Sequence, residues 1–153
     1  MKFLGLCICE KVIVDKQGVH TLVNLMFNAE IQRPPDQQIP PNAVAPNQWF
    51  IYTMWTPSTE DVGRKFEQVF KIYWPDGEEF SEQRLEFTQP DSSVQQVTLS
   101  IFGFPIGQAG KLRIVTWLDH AGHRLSELVE TGINVKHSLQ ANSRSSAPAP
   151  AKA

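Results

Sequence analysis

Apolar and polar residues alternate along most of the chain in short runs, and turn residues separate one run from the next. Alternation with a period of two is typical of β-strands that bury one face. In residues 65 to 74, KFEQVFKIYW, one face carries Phe66, Gln68, Phe70, Ile72 and Trp74, and the other carries Lys65, Glu67 and Lys71. In residues 111 to 119, one face carries Leu112, Ile114, Thr116 and Leu118, and the other carries Lys111, Arg113, Val115, Trp117 and Asp119.

The same pattern predicts about eight strands: residues 3–14, 19–32, 48–55, 65–74, 79–87, 95–104, 111–118 and 123–135. Turns such as PDG, GQAG and DHAG lie between several of them, so most connections are expected to be hairpins. Strands without crossover helices indicate antiparallel sheets. We therefore predict an all-β fold, a single antiparallel β-sandwich of immunoglobulin-like or similar topology, with a closed β-barrel as the alternative.

Three segments depart from simple alternation. The run QWFIYTMW, residues 48–55, is apolar on both faces, which favours a central strand over one wall of a groove. In PSTEDVGRKF, Ser58 or Thr59 is suited to cap a short helical turn that Gly63 would end. The acidic run DGEEFSEQRLE is typical of a solvated edge strand.

Residues 33 to 48 hold five prolines and cannot form regular structure throughout. We interpret this segment as a crossover between sheets, with a ligand loop or proline-rich motif as the alternative. The end of the chain is rich in Ser, Ala and Pro and lacks the apolar residues that order a segment. The predicted organisation is a β-sandwich domain over residues 1–136 and a flexible tail over residues 137–153.

The opening MKFLGLCICE can be a secretory leader, a pair of metal-binding thiols or a first strand. Its apolar stretch, residues 3 to 9, is at the lower limit for a leader and lacks a small-residue cleavage site. Cys7 and Cys9 would lie on one face of a strand, at the far limit of disulfide reach. Two cysteines provide no disulfide framework, so we predict buried, inert strand thiols and a cytoplasmic location.

The charge balance provides little evidence about partners. The chain carries 14 Lys and Arg against 16 Asp and Glu, a net charge of −2. Neither a basic nucleic-acid surface nor a membrane-binding patch is expected. The sequence lacks the common hydrolase, phosphate-binding and dinucleotide-binding motifs, and no cofactor is predicted. The most suggestive polar group is Asp119, His120 and His123, a weak metal candidate that is more typical of a hydrophilic turn.

Several motifs together resemble a family of small, uncharacterised bacterial proteins. They are the opening LGLCICEKVIVDKQGVHTLVNLMFNAEI, the WPDG turn, and the late hairpin that contains Gly110, Leu112, Ile114 and the DHAG turn. The resemblance covers residues 3 to 136 and implies a β-sandwich in a bacterial, cytosolic setting. It implies no catalytic residues.

We therefore expect a non-enzymatic binding module, with protein–protein interaction or assembly as the first hypothesis. The predicted contact surface is an exposed apolar patch formed by Trp117 with Arg113 and Val115. The alternative is a small-ligand or glycan binder that stacks its ligand on Trp49, Trp55 or Trp74. A metal-dependent enzyme at Asp119, His120 and His123 comes third, and the pattern leaves a homodimer through an edge strand open.

Overall fold

The alternating runs form ten strands and one short 3-10 turn in the computed structural model, which describes residues 1 to 140. The strands are β1 (Lys2–Val14), β2 (His20–Leu25), β3 (Asn28–Arg33), β4 (Val44–Thr56), β5 (Lys65–Tyr73), β6 (Glu79–Thr88), β7 (Gln95–Pro105), β8 (Gly110–His120), β9 (His123–Arg124) and β10 (Val129–Leu139). Residues 1 to 140 contain no helix of the length and apolarity that crossing a membrane requires.

The strands form two sheets that pack against each other, so the prediction of a β-sandwich is confirmed. The first sheet has the order β2-β1-β4-β7, and the second has the order β3-β10-β8-β5-β6 with β9 paired to β8. Strands β4 and β7 in one sheet, and β6, β5, β8 and β10 in the other, match strands B and E and strands C′, C, F and G of immunoglobulin-like sandwiches. The pairs are antiparallel except β3 with β10, which is parallel.

Two predicted strands are each divided in the structure. Residues 19–32 form β2 in the first sheet and β3 in the second, and residues 123–135 form β9 and most of β10. Asn24, near the end of β2, has a φ of 54°, the left-handed conformation that asparagine tolerates. The expectation that hairpins make most connections was also wrong, because five of the nine connections between strands pass from one sheet to the other. Apolar and polar residues continue to alternate where residues 19–32 and 123–135 are divided, so the sequence pattern does not reveal these two divisions.

The alternating faces predicted for residues 65–74 and 111–119 are confirmed. Their inward side chains form much of the core, together with inward residues of β4 and β7. Strand β4 lies between β1 and β7, as predicted for a central strand. Strand β6 lies at the edge of the second sheet, as its acidic composition indicates. The predicted short turn is present as a 3-10 turn at Thr59–Asp61, with Ser58 as its N-cap.

A buried polar network joins the two sheets at the centre of this core. The side-chain oxygen of Gln68 on β5 accepts hydrogen bonds from the Thr53 hydroxyl, at 3.0 Å, and from the Trp55 indole, at 3.2 Å, both on β4. The Gln68 amide donates to the Thr116 hydroxyl on β8 at 3.0 Å. Because each buried polar group finds a partner, the network fixes the two sheets in one register.

The proline-rich segment crosses from β3 in the second sheet to β4 in the first, as predicted. The Ala43 amide donates to the Pro40 carbonyl, and the Ile106 amide donates to the Ala43 carbonyl. Strand β4 begins at Val44, four residues before the predicted strand. Strand β10 continues to Leu139, beside Arg33, so the ordered domain extends beyond its predicted end at residue 136. Most of the predicted tail, residues 141 to 153, lies outside the described residues.

Asp61 is a buried carboxylate whose pKa links folding to pH. Burial by itself raises this pKa, but hydrogen bonds from the N-terminal ammonium, at 2.6 Å, and from Ser58 lower it from 3.8 to about 2. The ionised carboxylate is therefore favoured in the folded state. Its contribution to stability is complete above about pH 4 and is lost as the pH falls through about 2.

We expect Asp61→Asn to lower the free energy of unfolding by about 2 kcal/mol near neutral pH, the equivalent of this pKa shift. The difference between wild type and variant should shrink as the pH falls from about 4 to about 2 and disappear below that, as the wild-type carboxyl becomes protonated in both states. Urea unfolding of both proteins across this pH range provides the measurement, with Asp36→Asn at an exposed site as the control. Parallel stability curves for wild type and Asp61→Asn would contradict this account.

Candidate functional site

The first sheet splits where β1 leaves β4. The two strands pair from Lys2 opposite Thr56 to Cys9 opposite Phe50, and no further. Beyond Cys9, β1 pairs only with β2, while β4 before Phe50 pairs only with β7. Within residues 1 to 140, one backbone edge of β4 is therefore without a neighbouring strand from Val44 to Trp49.

A cleft of about 850 Å³ lies between the diverging strands. Its lining combines residues of the β1–β2 hairpin, of β3 and of the first half of β4. The apolar lining residues are Val23, Leu25, Met26, Ala29, Ile31, Ala45, Trp49, Phe104 and Ile106. The polar lining residues are Glu10, Lys11, Asn24, Asn28, Glu30, Asn47 and Gln48. The volume is in the range of sites that bind drug-sized ligands or short peptides.

The polar groups of the cleft differ in how far they are already paired. Asn24 donates to the Glu10 carboxylate at 2.7 Å, and Gln48 donates to the Ser100 hydroxyl at 2.7 Å. Glu30 and Asn47 are exposed, and neither side chain makes a hydrogen bond to another described residue. The site therefore has polar groups available to a ligand above an apolar floor, the combination that orients a bound molecule.

The unpaired edge of β4 adds backbone groups to this set. In a sheet edge, alternate N–H and C=O groups point away from the existing neighbour and can pair with an added strand. Pro46 lies within this stretch, and the ladder with β7 is irregular between Ala45 and Gln48. Prolines in sheets are found on edges or at bulges, which agrees with this unpaired position. Pro46 has no N–H to donate, so an added strand would pair with the backbone groups of its neighbours in β4.

Trp49, Trp55 and Trp74, predicted to stack on a ligand, do not form an exposed platform. All three are buried, and their inward direction on β4 and after β5 follows from the alternation itself. Trp49 lies at the floor of the cleft, but it is only 1% exposed and its indole nitrogen donates to the Gly103 carbonyl at 3.0 Å. Trp55 is part of the Gln68 network, and Trp74 packs against Phe80.

The predicted exposed patch around Trp117 is also absent. Trp117 and Val115 point outward from the second sheet, as predicted, but each is only 8% exposed and packs with the fully buried Val69. The Arg124 guanidinium lies 4.8 Å from the centre of the Trp117 ring. Arg113 forms two hydrogen bonds with the Glu130 carboxylate. Long side chains of neighbouring strands therefore cover this face, which a single strand's pattern does not show.

Asp119, His120 and His123 do not converge on a common point. Ala121 and Gly122, both with positive φ, form the turn that places His120 opposite His123. The His120 ring nitrogen Nδ1 lies 2.7 Å from the Lys65 carbonyl oxygen and donates its hydrogen there. Among residues 1 to 140, no three His, Cys, Asp or Glu side chains are grouped so that they could hold a metal ion.

The two thiols have different environments. Cys9 is buried, and burial raises the pKa of its thiol, so this side chain matches the predicted inert thiol. Cys7 is only half-buried, which the prediction did not anticipate, and it lies opposite Tyr52 in the ladder. Burial, with a smaller contribution from Cys7, raises the pKa of the Tyr52 hydroxyl, and the His20 ring packs edge-on against Tyr52.

The sequence pattern does not reveal the cleft, because its lining residues are distant from one another in the chain and residues 33 to 48 have the pattern of a simple crossover. The available signal was Pro46, since a proline two residues into a strand indicates an unpaired edge. Together the fold and the cleft define an immunoglobulin-like β-sandwich with an open strand position in its first sheet. Comparison of the chain with models of known protein families and with curated proteins gives no match.

Proposed function

We propose that this protein is a non-enzymatic interaction module that binds an extended segment of a partner protein in the cleft. The observation that carries the proposal is the split between β1 and β4, after which no strand of residues 1 to 140 lies beside Val44 to Trp49 on that edge. An added segment would pair with the backbone of β4, the mode of recognition known as β-augmentation. Six residues of a strand span about 20 Å, so a segment of about that length would be bound.

The chemistry of the cleft indicates what kind of segment would bind. Successive side chains of a strand point to opposite faces, so alternate residues would contact the floor at Met26, Ile31 and Phe104. The remaining residues would face the rim, where Glu10 and Glu30 outnumber Lys11. We therefore propose a segment that alternates apolar residues with polar or basic ones.

Selection of displayed random peptides on the full chain tests the proposal. A selected peptide should bind Ala45→Trp and Asn47→Trp at least about tenfold more weakly than wild type, because either indole occupies the cleft. Val62→Trp, at an exposed site outside the cleft, should bind the peptide as wild type does. Fluorescence anisotropy gives the affinities, and circular dichroism verifies that each variant is folded.

A peptide that binds wild type and both cleft variants equally would overturn the cleft as the site. Failure to select any peptide from a large library would overturn peptide binding itself.

A second candidate, a small polar ligand such as a glycan, is favoured by four amide side chains in the lining, Asn24, Asn28, Asn47 and Gln48. Titration with a panel of oligosaccharides should then change the tryptophan fluorescence in wild type and not in Asn47→Trp after subtraction of the added indole. A fluorescence response that is the same in both proteins would count against binding in the cleft.

The cytoplasmic setting and membership in the family of small bacterial proteins are also proposals. Both cysteines are free, which agrees with a reducing compartment.

A further inference from the structure

Strand β7 is a long edge strand of the first sheet. It ends the first sheet and pairs only with β4 among residues 1 to 140. With 11 residues it is about 36 Å long, and edge strands of natural proteins are usually kept shorter or are covered.

The composition of β7 lacks the usual protection against pairing. Residues 95 to 105 contain no charged residue, and the only proline, Pro105, is the last residue of the strand. By contrast, the edge strand β6 carries Glu79, Glu82, Arg84 and Glu86. Charges and prolines are the devices by which edge strands avoid other chains, so β6 is protected and β7 is not.

The outward face of β7 is also suited to contact. Gln96, Thr98, Ser100 and Phe102 follow one another on this face, and Phe102 is 77% exposed. Phe102 therefore adds apolar surface beside the unpaired edge, and this surface would be buried by an added strand. The polar residues of the row are small or neutral, so they would not repel an identical row.

We propose that two copies of the chain form a dimer in which β7 of one copy pairs antiparallel with β7 of the other, with the two-fold axis at Ser100. Two identical edges related by a two-fold axis are self-complementary, and the first sheets would join into one sheet of eight strands. Since β7 carries no charge, self-pairing places no like charges opposite each other. Each Phe102 then lies over the outward row of the partner copy. The cleft lies on the other side of β4, but Gln48 of the cleft donates to the Ser100 hydroxyl, so peptide binding is measured on chains with wild-type β7.

Sedimentation of the full chain, at concentrations up to about 100 µM, tests this dimer. Wild type should sediment with twice the 17.3 kDa mass of one chain. Thr98→Lys combined with Ser100→Lys should be monomeric, because four lysines would meet at the two-fold axis. Gln17→Lys combined with Gln32→Lys adds the same charge at exposed sites on the far side of the sandwich and should remain dimeric.

A crosslink locates the interface directly. In a chain with Cys7→Ser and Cys9→Ser, Ser100→Cys should form a covalent dimer on mild oxidation, and Ser92→Cys should not. Monomeric wild type overturns the proposal, as does a dimer that survives the paired lysines and fails to crosslink at position 100. Peptide binding in the cleft is measured by a separate experiment. A monomeric wild type would therefore overturn the dimer without deciding whether the cleft binds a peptide.

Discussion

Gln68→Ala is expected to lower the free energy of unfolding by about 3 to 5 kcal/mol, the largest effect of any single change considered for this chain. Two costs add in this variant. Removing a fully buried side chain leaves a cavity between the sheets, and the Trp55 indole loses its hydrogen-bond acceptor in a site that water does not reach. Urea or guanidinium unfolding monitored by tryptophan fluorescence gives the difference.

Gln68→Leu separates the two costs because leucine retains most of the side-chain volume. We expect this variant to lose about 1 to 3 kcal/mol, the cost of the unpaired indole N–H. Gln83→Ala, the same residue type at an exposed site of β6, should change stability by less than about 0.5 kcal/mol. If Gln68→Ala were no less stable than Gln83→Ala, the network would not hold the sheets together.

Gly107→Ala is expected to cost about 2 to 3 kcal/mol, as overpacking of a tight contact does. A Cβ at this position would overlap the carbonyl groups of Pro40 and Pro41. These are backbone atoms, so the clash is relieved only if the proline-rich segment moves as a whole. That segment leads directly into the part of β4 that borders the cleft, so this variant should also bind the selected peptide more weakly.

The control for Gly107→Ala is Gly18→Ala. Gly18 has a φ of 80° and no atom within 4 Å of an added Cβ, so alanine there meets conformational strain alone. We expect a cost of about 1 to 2 kcal/mol at position 18 and no change in peptide affinity. Equal peptide affinity in wild type and Gly107→Ala would show that the segment from Pro40 to Val44 does not position the cleft.

Much of the fold could be predicted because alternation is a local property. The inward positions of Gln68 and Thr116 follow from their neighbours at two-residue spacing, as does the outward position of Trp117. The pairing of Gln68 with Trp55 could not be predicted in the same way. It depends on β4 and β5 lying in opposite sheets, and strand order is set by contacts between residues distant in sequence.

The same distinction explains the errors in the site predictions. The pattern places Trp117 on the outer face, but its low exposure is due to Arg124 and to the neighbouring strands. A stacking platform was predicted for Trp49, Trp55 and Trp74 because they are aromatic. The structure places all three in the core, where no ligand can stack on them. Exposure is a property of the whole assembly of strands, so the composition of one strand does not determine it.

By itself the sequence determined the class of fold, the faces of the clear strands, the turn at Ser58 and the crossover through the prolines. These features depend on residues within a few positions of one another, where backbone geometry and side-chain direction are fixed by local sterics. Only the tertiary structure decided that β1 leaves β4 at Cys9 and that β7 ends its sheet. Both candidate binding surfaces are strand edges, one on β4 and one on β7. Whether an edge is unpaired depends on where all the other strands pair, and that pairing is set by contacts between residues distant in sequence.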